Sequence, residues 1–190
     1  MNDPPEPPGN RILRHFAAQF ERWRRAWEEA PPERRLTIHV HGPHAGRQAE
    51  LREGDTFRLA IKVPRPGNLW LNCLGTDARL VRLHPRENGP AAASVPAHDF
   101  QTPEYRAGMA PRHPEDAADL YIALLLPRQS VVPVIACEGL PPLPVHSMES
   151  RPGGMMAMEE GPCVHRSTDK LLTKAEVLFG LLRVRILPQG

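Results

Sequence analysis

The apolar residues of this chain change rhythm once, near residue 35. Ahead of that point Ile12, Phe16, Phe20, Trp23 and Trp27 recur at steps of four, four, three and four, the spacing that aligns side chains on one stripe of a helix. No Pro or Gly interrupts residues 10–30, and Pro31-Pro32 follows as a stop. The pattern predicts an amphipathic helix over 10–30, behind a proline-rich leader over 1–9 expected to be disordered.

Beyond residue 35 the period falls to two. Leu36, Ile38 and Val40 alternate with Thr37, His39 and His41 before Gly42-Pro43, which reads as a half-buried strand. Phe57, Leu59, Ile61 and Val63 make a second strand. The turn residues 64–68 then lead to Leu69, Leu71 and Cys73, so that the two runs read as a hairpin. Gly75-Thr76-Asp77-Ala78 supplies a further turn into a third meander strand over 80–83. Residues 120–126 are almost continuously apolar and read as a central strand, whereas Pro133 sends the strand at 131–136 to an edge or a bulge. Thr173-Lys174-Ala175-Glu176 matches a capping box opening a short helix through Phe179, and Leu182–Leu187 alternates as a closing strand. The predicted fold is mainly β (α+β): an antiparallel β-sandwich over 35–190 with an N-terminal amphipathic helix and a short C-terminal helix before the last strand. Irregular, proline-rich loops are expected at 85–118 and 139–167.

Composition narrows the function. A chain of 190 residues suits one core of ordinary size. Its 24 Lys and Arg against 22 Asp and Glu leave a net charge of +2 without a basic stripe, which argues against nucleic acid as a partner. The start Met1-Asn2-Asp3-Pro4 has no basic-then-apolar signal, and no apolar run approaches bilayer length, so a cytoplasmic protein without a membrane partner is expected. Cys73, Cys137 and Cys163 are odd in number and widely spaced, which predicts reduced thiols and neither a disulfide framework nor a zinc knuckle.

Candidate chemistry is sparse. His39 and His41 share a strand face and His44 follows the turn, a grouping that could ligate zinc or copper, although the same positions suit plain solvent-facing residues. In Cys163-Val164-His165 an imidazole lies near a thiol, with no third group to orient it. The Met155, Met156 and Met158 cluster reads as a loop, or as an adaptable contact surface. No phosphate-binding loop, nucleophile elbow or His-Glu-x-x-His sequence is present. The aromatic stripe Phe16, Phe20, Trp23 and Trp27 offers on the order of 600–1,000 Å² of apolar surface, to be covered by the chain's own sheet, by another protein or, as a third option that Glu21, Glu28 and Glu29 disfavour, by a membrane surface.

Residues 51–85 carry a further pattern. Leu51-Arg52-Glu53-Gly54-Asp55-Thr56-Phe57-Arg58-Leu59 is followed by Pro66-Gly67-Asn68-Leu69-Trp70-Leu71, and then by Asp77-Ala78-Arg79-Leu80-Val81-Arg82-Leu83-His84-Pro85. This resembles a bacterial family of β-sandwich domains of unknown function, whose pattern runs Gly-Asp, an alternating strand, Gly with Tyr or Leu, an Asp-Gly turn and Leu-x-Pro. Ala78 stands where a turn Gly is usual, and Leu83-His84-Pro85 where Leu-Phe-Pro is common. The resemblance implies an accessory module of the kind found beside caspase-like peptidases, protein kinases and envelope or secretion components, with no catalytic residues to carry over.

The expectation is a non-catalytic adaptor or regulatory subunit of a larger bacterial assembly, needing no cofactor and binding another protein through Phe16, Phe20, Trp23 and Trp27. The alternatives are a metal-dependent enzyme or binder built on His39, His41 and His44, and a sandwich that binds a ligand through its long loops.

Overall fold

Residues 120–126 can be apolar throughout because the sheet they enter is covered on both faces. The computed structural model of the chain describes residues 8–43, 49–85, 92–108, 118–128, 131–135, 145–147 and 164–189. Among the described residues the α-helices α1 (Pro8–Glu29) and α2 (Thr168–Leu172) flank a body of strands. The larger sheet is built on β4 (Gly67–Leu74), β5 (Leu80–His84), β9 (Ala118–Leu126) and β13 (Leu178–Leu187). With β2 (Glu50–Arg52) and β11 (Val145–Ser147) its order is β11-β5-β4-β9-β13-β2, and β6 (Ser94–Val95) also pairs with β4. The smaller sheet sets β3 (Thr56–Lys62) between β1 (Ile38–His41) and β7 (Asp99–Gln101), with β8 (Tyr105–Arg106) pairing farther along β3. A separate pair joins β10 (Val131–Val134) to β12 (Val164–Ser167). The fold is a mainly β, sandwich-like arrangement whose long pairings are antiparallel; β11–β5, β13–β2 and β10–β12 are parallel.

Alternate residues of the large sheet feed two cores. Leu69, Leu71 and Cys73 of β4, Tyr121, Ala123 and Leu125 of β9, and Leu178, Val184 and Ile186 of β13 meet Ile38, Phe57, Leu59 and Ile61 of the small sheet. On the other face Trp70, Leu74, Leu120, Ile122, Leu124, Leu126 and Phe179 meet Phe16, Phe20 and Trp23 of α1, Val131 and Val132 of β10, and Leu171 of α2. The molecule is thus three-layered: small sheet, large sheet, then a layer of helices and a strand pair. At Gly180 the chain at Leu36 approaches so closely that an added Cβ would lie 2.5 Å from the Leu36 carbonyl oxygen. There Leu36 N–H donates to the Phe179 carbonyl at 2.8 Å, tying the entry to the small sheet onto β13.

Most predicted strands fall where the alternation put them, and four expectations are corrected. The helix begins at Pro8 rather than Asn10, inside the last part of the supposed leader; residues 1–7 lie outside the described residues. Strands β3 and β4 do not form a hairpin but belong to different sheets. Pro64 and Pro66 bring no N–H to a ladder, and both sides of β4 are already taken by β5 and β9, so residues 63–66 cross from one layer to the other. The short helix expected before the last strand is present, but as α2 (Thr168–Leu172) and not at the 173–179 capping box. Thr173 instead closes α2, its Oγ1 donating to the Lys170 carbonyl at 2.9 Å, while Leu178 and Phe179 pair with Leu125 and Leu124. The long edge of β9 overrides the local helix signal. The stretches expected as loops are also corrected: 85–118 holds β6, β7 and β8, and 139–167 holds β11 and β12, while residues 86–91, 109–117, 139–144 and 148–163 lie outside the described residues.

Candidate functional site

Helix α1 has two unlike faces. Phe16, Phe20 and Trp23 are 0%, 2% and 3% exposed against the chain's own sheet, and Phe16 meets the edge of Trp23 with ring centroids 5.7 Å apart. Trp27, at the helix end, is half-buried and lies under the Arg35 guanidinium, 5.5 Å from its ring centroid. The stripe is therefore covered from within by the chain's own sheet at Phe16, Phe20 and Trp23, and of the four residues expected to meet a partner only Trp27 keeps part of its surface in solvent.

Polar groups fasten the same helix. Asp169 Oδ1 accepts from both Gln19 Nε2 and Trp23 Nε1, each at 2.6 Å, and Arg22 donates to Gln19 Oε1. Gln19 is only 3% exposed, so without Asp169 two donors at the helix–body seam would lose their acceptor. Arg35 closes the C-terminal end of the helix, giving Nε to the Ala30 carbonyl at 2.7 Å and Nη2 to the Glu28 carbonyl at 2.5 Å. Arg34 reaches the carbonyls of Leu172 and Lys174, both at 2.8 Å. Sequence reasoning missed this clasp. Gln19 could have been found, since it falls on the buried arc between Phe16 and Trp23, but Asp169 carries no sequence signal that pairs it with residue 19.

The opposite face of α1 is exposed and charged, with Arg11, Arg14, Arg22, Arg24, Arg25, Glu28 and Glu29 in solvent. Arg24 bridges Glu21 at 2.8 Å and Glu28 at 2.5 Å. The first turn holds no acid and the last turn no base. An arginine thus stands near the positive end of the helix dipole, against the stabilising arrangement, whereas at the negative end the cations Arg24 and Arg35 offset Glu28 and Glu29.

The candidate ligands separate. His39 and His41 are exposed together on the outer face of β1, while His44 lies outside the described residues, as do Cys163, Cys137 and the Met155–Met158 cluster. His165 is in β12. Among the described residues no group of three His, Cys, Asp or Glu side chains is placed to hold a metal ion.

A polar trio not foreseen from sequence, Cys73 and Tyr121 buried and Asp119 half-buried, lies at one end of the inner core. Cys73 of β4 pairs across the ladder with Tyr121 of β9, and Tyr121 donates its hydroxyl to Asp119 Oδ2 at 3.3 Å. Asp119 Oδ1 accepts from the Thr76 N–H at 3.0 Å, holding the β4–β5 turn. Loss of solvent raises the Asp119 carboxyl from 3.8 to about 6, against the opposing effect of the Thr76 and Tyr121 hydrogen bonds. Burial first, and then the Asp119 charge, push the Cys73 thiol well up. A thiol so held stays protonated and is a poor nucleophile, so the trio is built as a turn anchor rather than as a reactive centre. On the other face of the sheet Arg82 is 9% exposed and stacks 5.0 Å from the Trp70 ring centroid, its guanidinium pKa lowered by desolvation.

The chain matches no protein-family model, no curated protein and no solved structure. No helix among the described residues is long and apolar enough to cross a membrane.

Proposed function

We propose that this chain is a non-catalytic protein-binding adaptor or regulatory subunit, in which the layered body holds α1 rigidly and the outward face of the helix meets an acidic surface of a larger partner. The observation that carries this reading is the exposed basic start of α1, where Arg11 and Arg14 stand on the outward face with no acid in the first turn. A cation in the first turn costs a helix about 0.3–1 kcal/mol against its dipole, and Arg11 is such a cation; a local preference set aside in this way is expected where side chains serve a contact. Reversal of charge at the start of the helix tests it. The variant Arg11→Glu/Arg14→Glu should be as stable as the wild type or slightly more so, while recovery of partner in co-purification from the native cell falls at low and at physiological salt. A folded variant that recovers the same partner in the same amount sinks the proposal.

The likeness of residues 51–85 to accessory sandwich domains supports the same reading and a bacterial setting. A cytoplasmic location is part of the proposal, supported by the unpaired, buried Cys73 thiol.

A further inference from the structure

His39 and His41 lie outside the helix-centred reading above, and their placement supports a separate binding function. Both side chains are exposed on one face of β1, with the inward residue Ile38 5% exposed in the inner core. In a strand, residues i and i+2 stand about 6.6–6.8 Å apart on the same face, close enough for two imidazoles to turn inward onto one ion at about 2.0–2.1 Å from each nitrogen. The pairing with β3 fixes this spacing, since His39 is opposite Ala60 and His41 opposite Arg58. The methyl group of Ala60 leaves the His39 ring free to rotate toward its neighbour. Arg58, the cation nearest in register, has its guanidinium 3.5 Å from the Glu104 carboxylate, which offsets part of its charge. Among the described residues β1 is an edge of the small sheet, so an ion held there keeps coordination positions open to water or to another donor.

We propose that His39 and His41 form a two-imidazole chelate for a late first-row divalent cation, with copper(II) bound more tightly than zinc(II). Imidazole is a donor that suits both ions, and the order follows their intrinsic ligand affinities. The chelate is a strand-edge site that needs no third side chain from the described residues.

Titration of the full chain with copper(II), read by calorimetry and by electron paramagnetic resonance, tests the assignment. The expected result is a saturable site with one ion per chain and a signal from two coordinated nitrogens. His39→Ala and His41→Ala should each weaken that site by about tenfold or more and remove one nitrogen from the signal, with unchanged circular dichroism because both side chains are exposed. His98→Ala, at another exposed histidine, should leave it intact, and Arg58→Gln should tighten it by about threefold by removing the cation opposite His41. Absence of saturable copper binding overturns the proposal, and so does a site that keeps its affinity and its nitrogen signal in both β1 variants.

Discussion

The two faces of the large sheet are both dry, yet they are covered in different ways. The inner face is sealed by another sheet, through ladders that run in and out of β3 and through the close passage of Leu36 over Gly180. The outer face is covered by separate pieces, α1 from one end of the sequence and residues 131–135 and 168–177 from farther along. Hydrogen bonds at Asp169, Arg34 and Arg35 lock the pieces at the seams. A sheet cover shares its backbone bonding with its neighbours and opens only with the whole, whereas a helix satisfies its own backbone and can leave as a unit. The inner core should therefore set global stability and the outer layer a lower, local one.

Matched truncations give the largest effect and the most direct attack on this contrast. Phe16→Ala on the outer face and Leu71→Ala on the inner face each remove a side chain that is 0% exposed, for expected losses of about 3–5 and 2–5 kcal/mol. The contrast lies in where the loss appears. In Phe16→Ala, amide hydrogen exchange should accelerate across 8–29 well before β4 and β9, while Leu71→Ala should lower protection in both layers together. Equal acceleration across both layers in Phe16→Ala would show that the helix is part of the global cooperative unit.

The Asp119 carboxyl is the polar weak point of the inner face, and its effect depends on pH. Its proton is held more firmly in the folded chain, at about 6, than at the ordinary 3.8. The stabilisation from that proton is fully present below about pH 3.8 and is lost as pH rises through about 6. Asp119→Asn keeps an acceptor for the Thr76 N–H and removes the buried charge. Wild type and variant should unfold alike near pH 4, with the variant more stable by up to about 3 kcal/mol at pH 7.5. Denaturant midpoints at the two pH values measure this, and a variant less stable at both would show that the carboxylate is a net stabiliser of the turn.

At the outer seam, Asp169→Ala leaves Gln19 Nε2 and Trp23 Nε1 without their acceptor, an expected loss of about 1–3 kcal/mol. Because Asp169 itself is exposed, water should recover part of that loss. Asp169→Asn, which retains one acceptor oxygen, should fall between alanine and wild type. Urea midpoints rank the three, and exchange limited to α1 would mark the loss as local.

The period of the apolar residues made the helix and the main strands readable, because a buried face leaves its own spacing in the sequence. It also placed His39 and His41 on one face. What it could not convey was the partner of each strand. Alternation in 57–63 and 69–73 is the same whether the two runs pair or cross between layers, and only the proline pair between them hinted at a crossing. The Thr173–Glu176 signal failed for a related reason: local capping preference is worth about a kcal/mol, less than the burial of Leu178 and Phe179 along β9. The clasp on Asp169 joins residues about 150 positions apart, and the Cys73–Asp119–Tyr121 trio forms only once β4 and β9 are known to be neighbours.

The smallest expected effect lies in the β4–β5 turn, which belongs to neither core and so calibrates the other three. Ala78 has φ of 63°, a left-handed conformation that crowds the Cβ of any L-residue and that glycine adopts freely. Its own N–H donates to the Gly75 carbonyl at 3.0 Å, which fixes the turn and gives the residue no route to relax. Ala78→Gly removes the crowding but frees the unfolded chain as well, so the net gain should be below about 1 kcal/mol, visible as a slightly raised urea midpoint with an unchanged slope. Since the turn joins two strands of the doubly covered sheet, that gain should appear in global unfolding and leave the local exchange of α1 unaltered. A gain confined to α1 would mean that the outer layer and the turn are coupled, and the separation between the two faces would then fail.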